Sequence, residues 1–142
     1  MPIINPKEFE MDFSNVNWLG IVICVVFSMV SGFIWYHPKV FFPTWWAGVG
    51  KSGDGGMEGA GASTWILTIV AALVQAVSVS FLLPFMGSSV AMTGFMIWFG
   101  FVAPTNLVNK LFAGHGLKVW AIEAGNHLVN LVAFGAILAA MG

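Results

Sequence analysis

Four runs of apolar sequence, residues 16–36, 64–85, 90–111 and 119–141, hold a single acidic side chain between them, Glu123. A helix crosses the hydrocarbon core of a bilayer with about 20 predominantly apolar residues, so each run is long enough to span. The expected fold is therefore an all-α integral membrane protein with four transmembrane helices in a bundle. Composition agrees: 58% of the 142 residues are hydrophobic and 8% are charged, where a soluble domain carries about 25% charged residues. Residues 1–142 read as one domain, since too little polar sequence remains to build a second.

The charges that do occur exclude some functions and orient the chain. The net charge is −1 and there is no arginine, so the clustered cations that displace counterions from nucleic acid are missing. The opening "MPIINPKEFEMDF" is net acidic, unlike a cleavable signal, and the first apolar run is expected to remain as a helix. Asn5 and Pro6 suit a helix start, and Ile4, Phe9 and Phe13 offer an apolar side, so this segment reads either as a short interfacial helix or as a loose tail. Lys39, Lys51, Lys110 and Lys118 fall in the first and third loops. Positive charge is retained on the cytoplasmic side, which predicts a multi-pass protein of the cell inner membrane with loops one and three cytoplasmic and both termini outside. Cys24 lies in an apolar run with no second cysteine to pair with, and reads as packing.

The loops have distinct textures. "WYHPKVFFPTWWAG" is aromatic and broken by proline, as expected of an interfacial first loop whose rings lie among headgroups. "GKSGDGGMEGAGAS" is a flexible linker. Its "GVGKS" resembles the end of a phosphate-binding loop, but Trp45 stands where that motif needs its first glycine, and no strand precedes it. The turn "MGSS" is so short that the second and third spans must form an antiparallel hairpin.

Polar residues inside the spans carry the most information. Glu123, Asn126, His127 and Asn130 follow i, i+3, i+4, i+7 spacing and form one stripe on the fourth span. Asn106 and Asn109 lie just past Pro104 on the third span, and Gln75 is near the middle of the second. Counting about 1.5 Å per residue from the shared loop levels Glu123 with Asn106, Thr68 and Ser31 or Gly32, and Asn130 with Gln75. The expected pairs are Glu123 with Asn106 and Asn130 with Gln75. Between membrane helices such groups commonly serve as hydrogen-bonding glue worth about 0.6–2 kcal/mol each, and that reading suits Gln75, Asn109, Ser31 and Ser78. Small residues four apart, Ser28 with Gly32, Ala121 with Gly125 and Gly135 with Ala139, add close-packing faces.

Glu123 fits glue less readily. Lys118 is five residues away, a poor spacing for an intrahelical pair, which leaves either a neutral carboxyl donating to Asn106 or a carboxylate held by a cation or water. His127, one turn on, can share its proton. Metal binding needs three or four ligands, and His37 and His115 fall in loops, so no metal is expected. No nucleophile has an adjacent base, so neither an enzyme nor a cofactor is expected.

The segment "NWLGIVICVVFSMVSGFIWYHPKVFFPTWWAGVG" resembles the start of the domain-of-unknown-function 1761 family, small bacterial and fungal membrane proteins. Their first helix ends in G-x-x-W-Y-x-P, followed by an aromatic residue and a tryptophan. Gly32, Trp35, Tyr36, Pro38, Phe42 and Trp46 occupy those places, and Gly114, Leu117, Ile122, Gly125, His127 and Gly135 are similar to the family's last helix in outline. The family's basic position in the third loop is here within "AGHGLK", where His115 or Lys118 stands in. The resemblance implies four membrane helices and no particular activity.

Two functional classes follow. The first is a structural or accessory membrane subunit that assembles with itself or with a membrane-protein partner in the lipid bilayer. The second is a homo-oligomeric channel or transporter for a small ion, proton or polar solute. Its binding or pathway residues would be Glu123, His127, Asn126, Asn130, Asn106 and Gln75. The first is expected, because glue is the commoner use of such residues.

Overall fold

The computed structural model describes residues 11–53, 60–86 and 89–142. Six helices follow one another: α1 (Trp18–Trp35), α2 (Phe42–Gly48), α3 (Ala62–Met86), α4 (Val90–Ile97), α5 (Ala103–Phe112) and α6 (Gly116–Met141). A π turn, Trp98–Val102, joins α4 to α5, so that Val90–Phe112 forms one continuous span. This span, α1, α3 and α6 are the four helices long and apolar enough to cross a membrane. Their limits agree with the expected runs to within a turn. The expected interfacial segment before Met11, residues 54–59 of the glycine linker, and Gly87 and Ser88 of the expected hairpin turn lie outside the described residues; α3 and α4 nevertheless touch one another.

The fourth span, α6, is the central element and contacts each of the other five helices. In its most apolar window 39% of residues are buried, against 17% in each of the other spans. Close approach explains how this is achieved in lipid, where burying apolar surface between helices gains little and packing contacts decide. A Cβ on Gly94 of α4 would lie 2.7 Å from the Leu131 carbonyl oxygen and the Val132 Cα of α6. Gly125 of α6 faces the Trp35 ring, and Gly135 faces Val90. Two of the three expected small-residue faces therefore have a glycine in tight contact. The third differs: a Cβ on Gly32 would meet nothing within 4 Å, because Ser28 and Gly32 border open space.

One end of the molecule holds both the start of α1 and the end of α6. Asn17 caps α1 by accepting from the Gly20 N–H at 3.0 Å, while its own amide donates to the Met141 carbonyl at 2.7 Å. Ile21, Cys24, Ala76, Val79, Phe134 and Leu138 form the dry core in this half, and Cys24 is fully buried there as packing. Asn17→Ala is expected to remove about 1 kcal/mol, the usual worth of an N-cap, and to raise amide exchange in the first turn of α1, measured by hydrogen–deuterium exchange in micelles.

Local backbone chemistry shapes the other half. Pro104 has no N–H to give the carbonyl one turn back, and the helix widens just before it: the Ala103 N–H reaches Trp98, five residues earlier. At the α5–α6 turn, Gly114 and Gly116 both have positive φ, 77° and 82°, which glycine adopts without steric cost. The aromatic first loop contains a helix of its own, α2, begun at Pro43 near its first position. It leans on α6, where Gly48 abuts Val119 so closely that no Cβ fits.

Candidate functional site

The sequence stripe on α6 is divided in two by its neighbours. At the loop end, the Glu123 carboxylate is held from two directions. The Trp45 indole of α2 donates to Oε1 at 2.9 Å, and the Lys110 ammonium of α5 lies 3.1 Å from Oε2. The two charged side chains are 15% and 21% exposed, so the pair is partly desolvated and stronger than a surface ion pair. The expected mate Asn106 is not used, and its buried Nδ2 has no partner. Reach explains the difference. Lys110 lies nearer the loop than Glu123, and its four-carbon stem covers the gap in level, whereas the short Asn106 amide does not. Neither a neutral carboxyl donating to Asn106 nor a bound ion or water is needed for Glu123, since the Lys110 ammonium of the neighbouring helix supplies the counter-charge.

Deeper along α6, Asn126 donates to the Ser31 hydroxyl of α1 at 3.0 Å, and Asn130 donates to the Asn126 side-chain Oδ1 at 3.4 Å. These asparagines are 7% and 8% exposed. The chain Asn130–Asn126–Ser31 is interhelical glue of the expected kind, with Ser31 on the receiving end. The expected Asn130–Gln75 hydrogen bond is not formed. Instead Asn130, Asn126, His127 and Gln75 all border one cavity of about 670 Å³ between α1, α3 and α6. The side chains of His127 and Gln75, inside their helices, hold no hydrogen bond to any described residue. Glu123, Asn106 and Asn109 lie outside the cavity lining.

The loop end of the cavity is aromatic. Trp45 and Trp46 of α2, Tyr36 just past α1, and Trp65 of α3 line it, with the Lys51 ammonium 4.9 Å above the Trp46 ring, a cation–π contact. Burial, and then the nearby Glu123 charge, push the Tyr36 phenol above its ordinary range, so it stays neutral there.

Several tryptophans hold helices together, a role that composition alone did not indicate. Trp35 donates to the Ile122 carbonyl at 2.7 Å, Trp98 to the Ala124 carbonyl at 2.7 Å, and Trp120 to the Ala103 carbonyl at 2.9 Å. Trp98 and Trp120 sit inside predicted spans away from the aromatic loop, and that position was the available signal: an indole N–H buried in lipid must find an acceptor. Among the described residues no three His, Cys, Asp or Glu side chains cluster as a metal site would require.

No curated protein and no solved structure matches the chain. A family model described as "Protein of unknown function (DUF1761)" matches residues 19–139, a stretch that includes the W-Y-x-P segment, the Glu123 clamp and the whole cavity lining. The four helices long and apolar enough to span, the WYHP segment that leads into α2 and the glycine-bearing α6 that the rest packs around all overlap the matched residues, and the chain belongs to the DUF1761 family.

Proposed function

We propose that this chain is a non-catalytic accessory subunit of the cell inner membrane, assembling with copies of itself or with another membrane protein. The observation that supports this reading is the engagement of both Glu123 oxygens by Trp45 and Lys110. A carboxylate that carries ions or protons must be free to exchange partners, whereas this one ties α2, α5 and α6 into one rigid end. The two loops meet at that end, with Lys39, Lys51, Lys110 and Lys118 on or beside them, and by the retention of positive charge it faces the cytoplasm with both termini outside. Purified protein in liposomes is expected to show proton and potassium flux at the background rate, with no change in Glu123→Gln. Native mass spectrometry is expected to show oligomers or a co-purifying membrane partner; a strictly monomeric, unpartnered chain would remove the accessory reading.

A channel or transporter is the second reading, favoured by the cavity that runs inward to the polar side chains Asn130 and Gln75. Its mark in the same liposome assay is flux above background that falls in His127→Ala.

A further inference from the structure

The cavity between α1, α3 and α6 is bordered by polar side chains that no described residue satisfies. The amide of Gln75 and the ring nitrogens of His127 belong to its lining and hold no hydrogen bond. Neither group is sealed off. Among the described residues, the side-chain polar atoms that are both buried and unpartnered belong to Trp46, Asn106, His115 and Asn130, so those of Gln75 and His127 keep accessible surface. Thr68 and Ser28 border the cavity too. Their hydroxyl hydrogens are spent on their own helices, at the Thr64 and Val25 carbonyls, which leaves oxygen lone pairs free to accept.

The cavity has a polar mouth and a dry floor. At the loop end stand Lys51 and Thr64, both exposed, the latter in the first turn of α3. Beside them Phe33 of α1 and Trp65 of α3 stack at 5.7 Å across the seam between those helices. From Thr64 to Gln75 the α3 wall runs about 16 Å at the helical rise per residue, which carries it to the middle of a hydrocarbon core about 30 Å thick. The floor lies one turn beyond the last lining residue on each helix. Ser28, Gln75 and Asn130 border the cavity; four residues further from the loops, Cys24, Val79 and Phe134 belong to the dry core, none more than 2% exposed.

The two unpartnered side chains decide what fills this space. A lipid chain would leave Gln75 and His127 unmet in hydrocarbon, the costliest surroundings for a polar group. Water satisfies both. A volume of about 670 Å³ holds on the order of 20 waters at about 30 Å³ each, enough to bond to one another as well as to the wall. We propose that the cavity is a water-filled pocket, open to solvent at the loop end and closed at mid-membrane, which brings solvent from one side of the membrane to His127. The imidazole then exchanges hydrogen bonds and protons with that side alone. The assignment rests on the cavity and not on the Glu123 clamp, so it stands apart from the accessory reading.

The test puts single cysteines into the full-length chain, which keeps its own Cys24. Their modification by the membrane-impermeant anion 2-sulfonatoethyl methanethiosulfonate is measured in right-side-out and in inside-out inner-membrane vesicles, and unreacted thiols are counted by gel shift with a polyethylene-glycol maleimide. Ser28→Cys, Thr68→Cys, Gln75→Cys and His127→Cys are expected to react from one side only, the side from which Lys51→Cys reacts. Leu67→Cys and Val74→Cys are the controls: these positions adjoin Thr68 and Gln75 on α3 but lie outside the lining and are 65% and 58% exposed on the outer surface of the bundle. The pocket thiols should react about a hundredfold faster than the controls, because a charged reagent is excluded from hydrocarbon. Cys24 should stay unreacted in every variant, which reports an intact core. Ser28→Cys exchanges only an oxygen for a sulfur, so at least one pocket variant keeps the native packing. The proposal is overturned if, with Cys24 unreacted, the thiols introduced at 28 and 68 react no faster than the controls, as a lipid-filled cavity requires, or if they react equally from both sides. Reaction at 68 without reaction at 28 or 75 would put the floor short of mid-membrane and overturn it as well.

Discussion

Glu123→Ala is expected to destabilise the protein by about 3 kcal/mol, the lower end of the range for breaking a buried ion pair. The loss has two parts. The Lys110 ammonium, 21% exposed, is left without its counter-charge, and the Trp45 indole loses its acceptor, which loosens α2 from α6. Glu123→Gln should cost less, because an amide oxygen still accepts from Trp45 while only the ion pair is lost. Lys110→Met strands the carboxylate and should cost about as much as Glu123→Ala. The double variant Glu123→Gln/Lys110→Met is then expected to be less destabilised than the sum of its single variants, with a coupling of about 1–3 kcal/mol. Reversible unfolding in mixed micelles by added dodecyl sulfate measures all four proteins. Strict additivity would mean that the pair carries no interaction energy, and the clamp would lose its physical basis.

The second large effect is at Gly94. Alanine there is expected to cost about 2 kcal/mol through overpacking, and leucine to prevent α4 from docking on α6. The sign is decided by two opposed terms. Replacing glycine by alanine inside a helix gains about 1 kcal/mol in backbone entropy. Against that, the new Cβ would stand 2.7 Å from the Leu131 oxygen and the Val132 Cα and 2.8 Å from the Val132 nitrogen. These are backbone atoms of a long helix, and no rotamer change removes them, so the helices must separate along their whole contact. Gly32→Ala is the control: with open space around its Cβ position, only the helix-propensity gain applies, and it should be neutral or up to about 1 kcal/mol more stable. The same micelle unfolding assay reads both. Equal stabilisation of the two variants would refute the close approach of α4 and α6.

How far the spans and the site could be read in advance depended on which physical quantity each required. Span positions rest on the local cost of putting a peptide into lipid, which is written residue by residue, and α1, α3 and α6 accordingly begin and end close to where apolar runs do. The stripe Glu123–Asn126–His127–Asn130 is likewise a matter of helical period. Its partners are not. Level counting matched Glu123 with Asn106 because it compares Cα heights, whereas the observed partner Lys110 reaches from another level by the length of its side chain. Trp45 was harder still, since α2 had first to fold back from a loop read as lying among headgroups. The π turn before Pro104 was partly foreseeable, since a proline has no N–H to give the carbonyl one turn back, but the widening that brings Ala103 to Trp98 is a cooperative response of the whole turn.

Membrane residence, the four spans and the shared face of the α6 polar groups are therefore properties of the chain in order, because hydropathy and a 3.6-residue period need no knowledge of neighbours. Which of those polar groups are spent on holding helices and which border empty space was settled only when α1, α2, α3 and α5 came to rest around α6. Hydrogen bonds act over about 3 Å, and rotation, tilt and side-chain reach of separate helices decide what lies within that distance. That packing turned one uniform stripe into a clamp at Glu123 and, two turns deeper, an unfilled acceptor at Asn130.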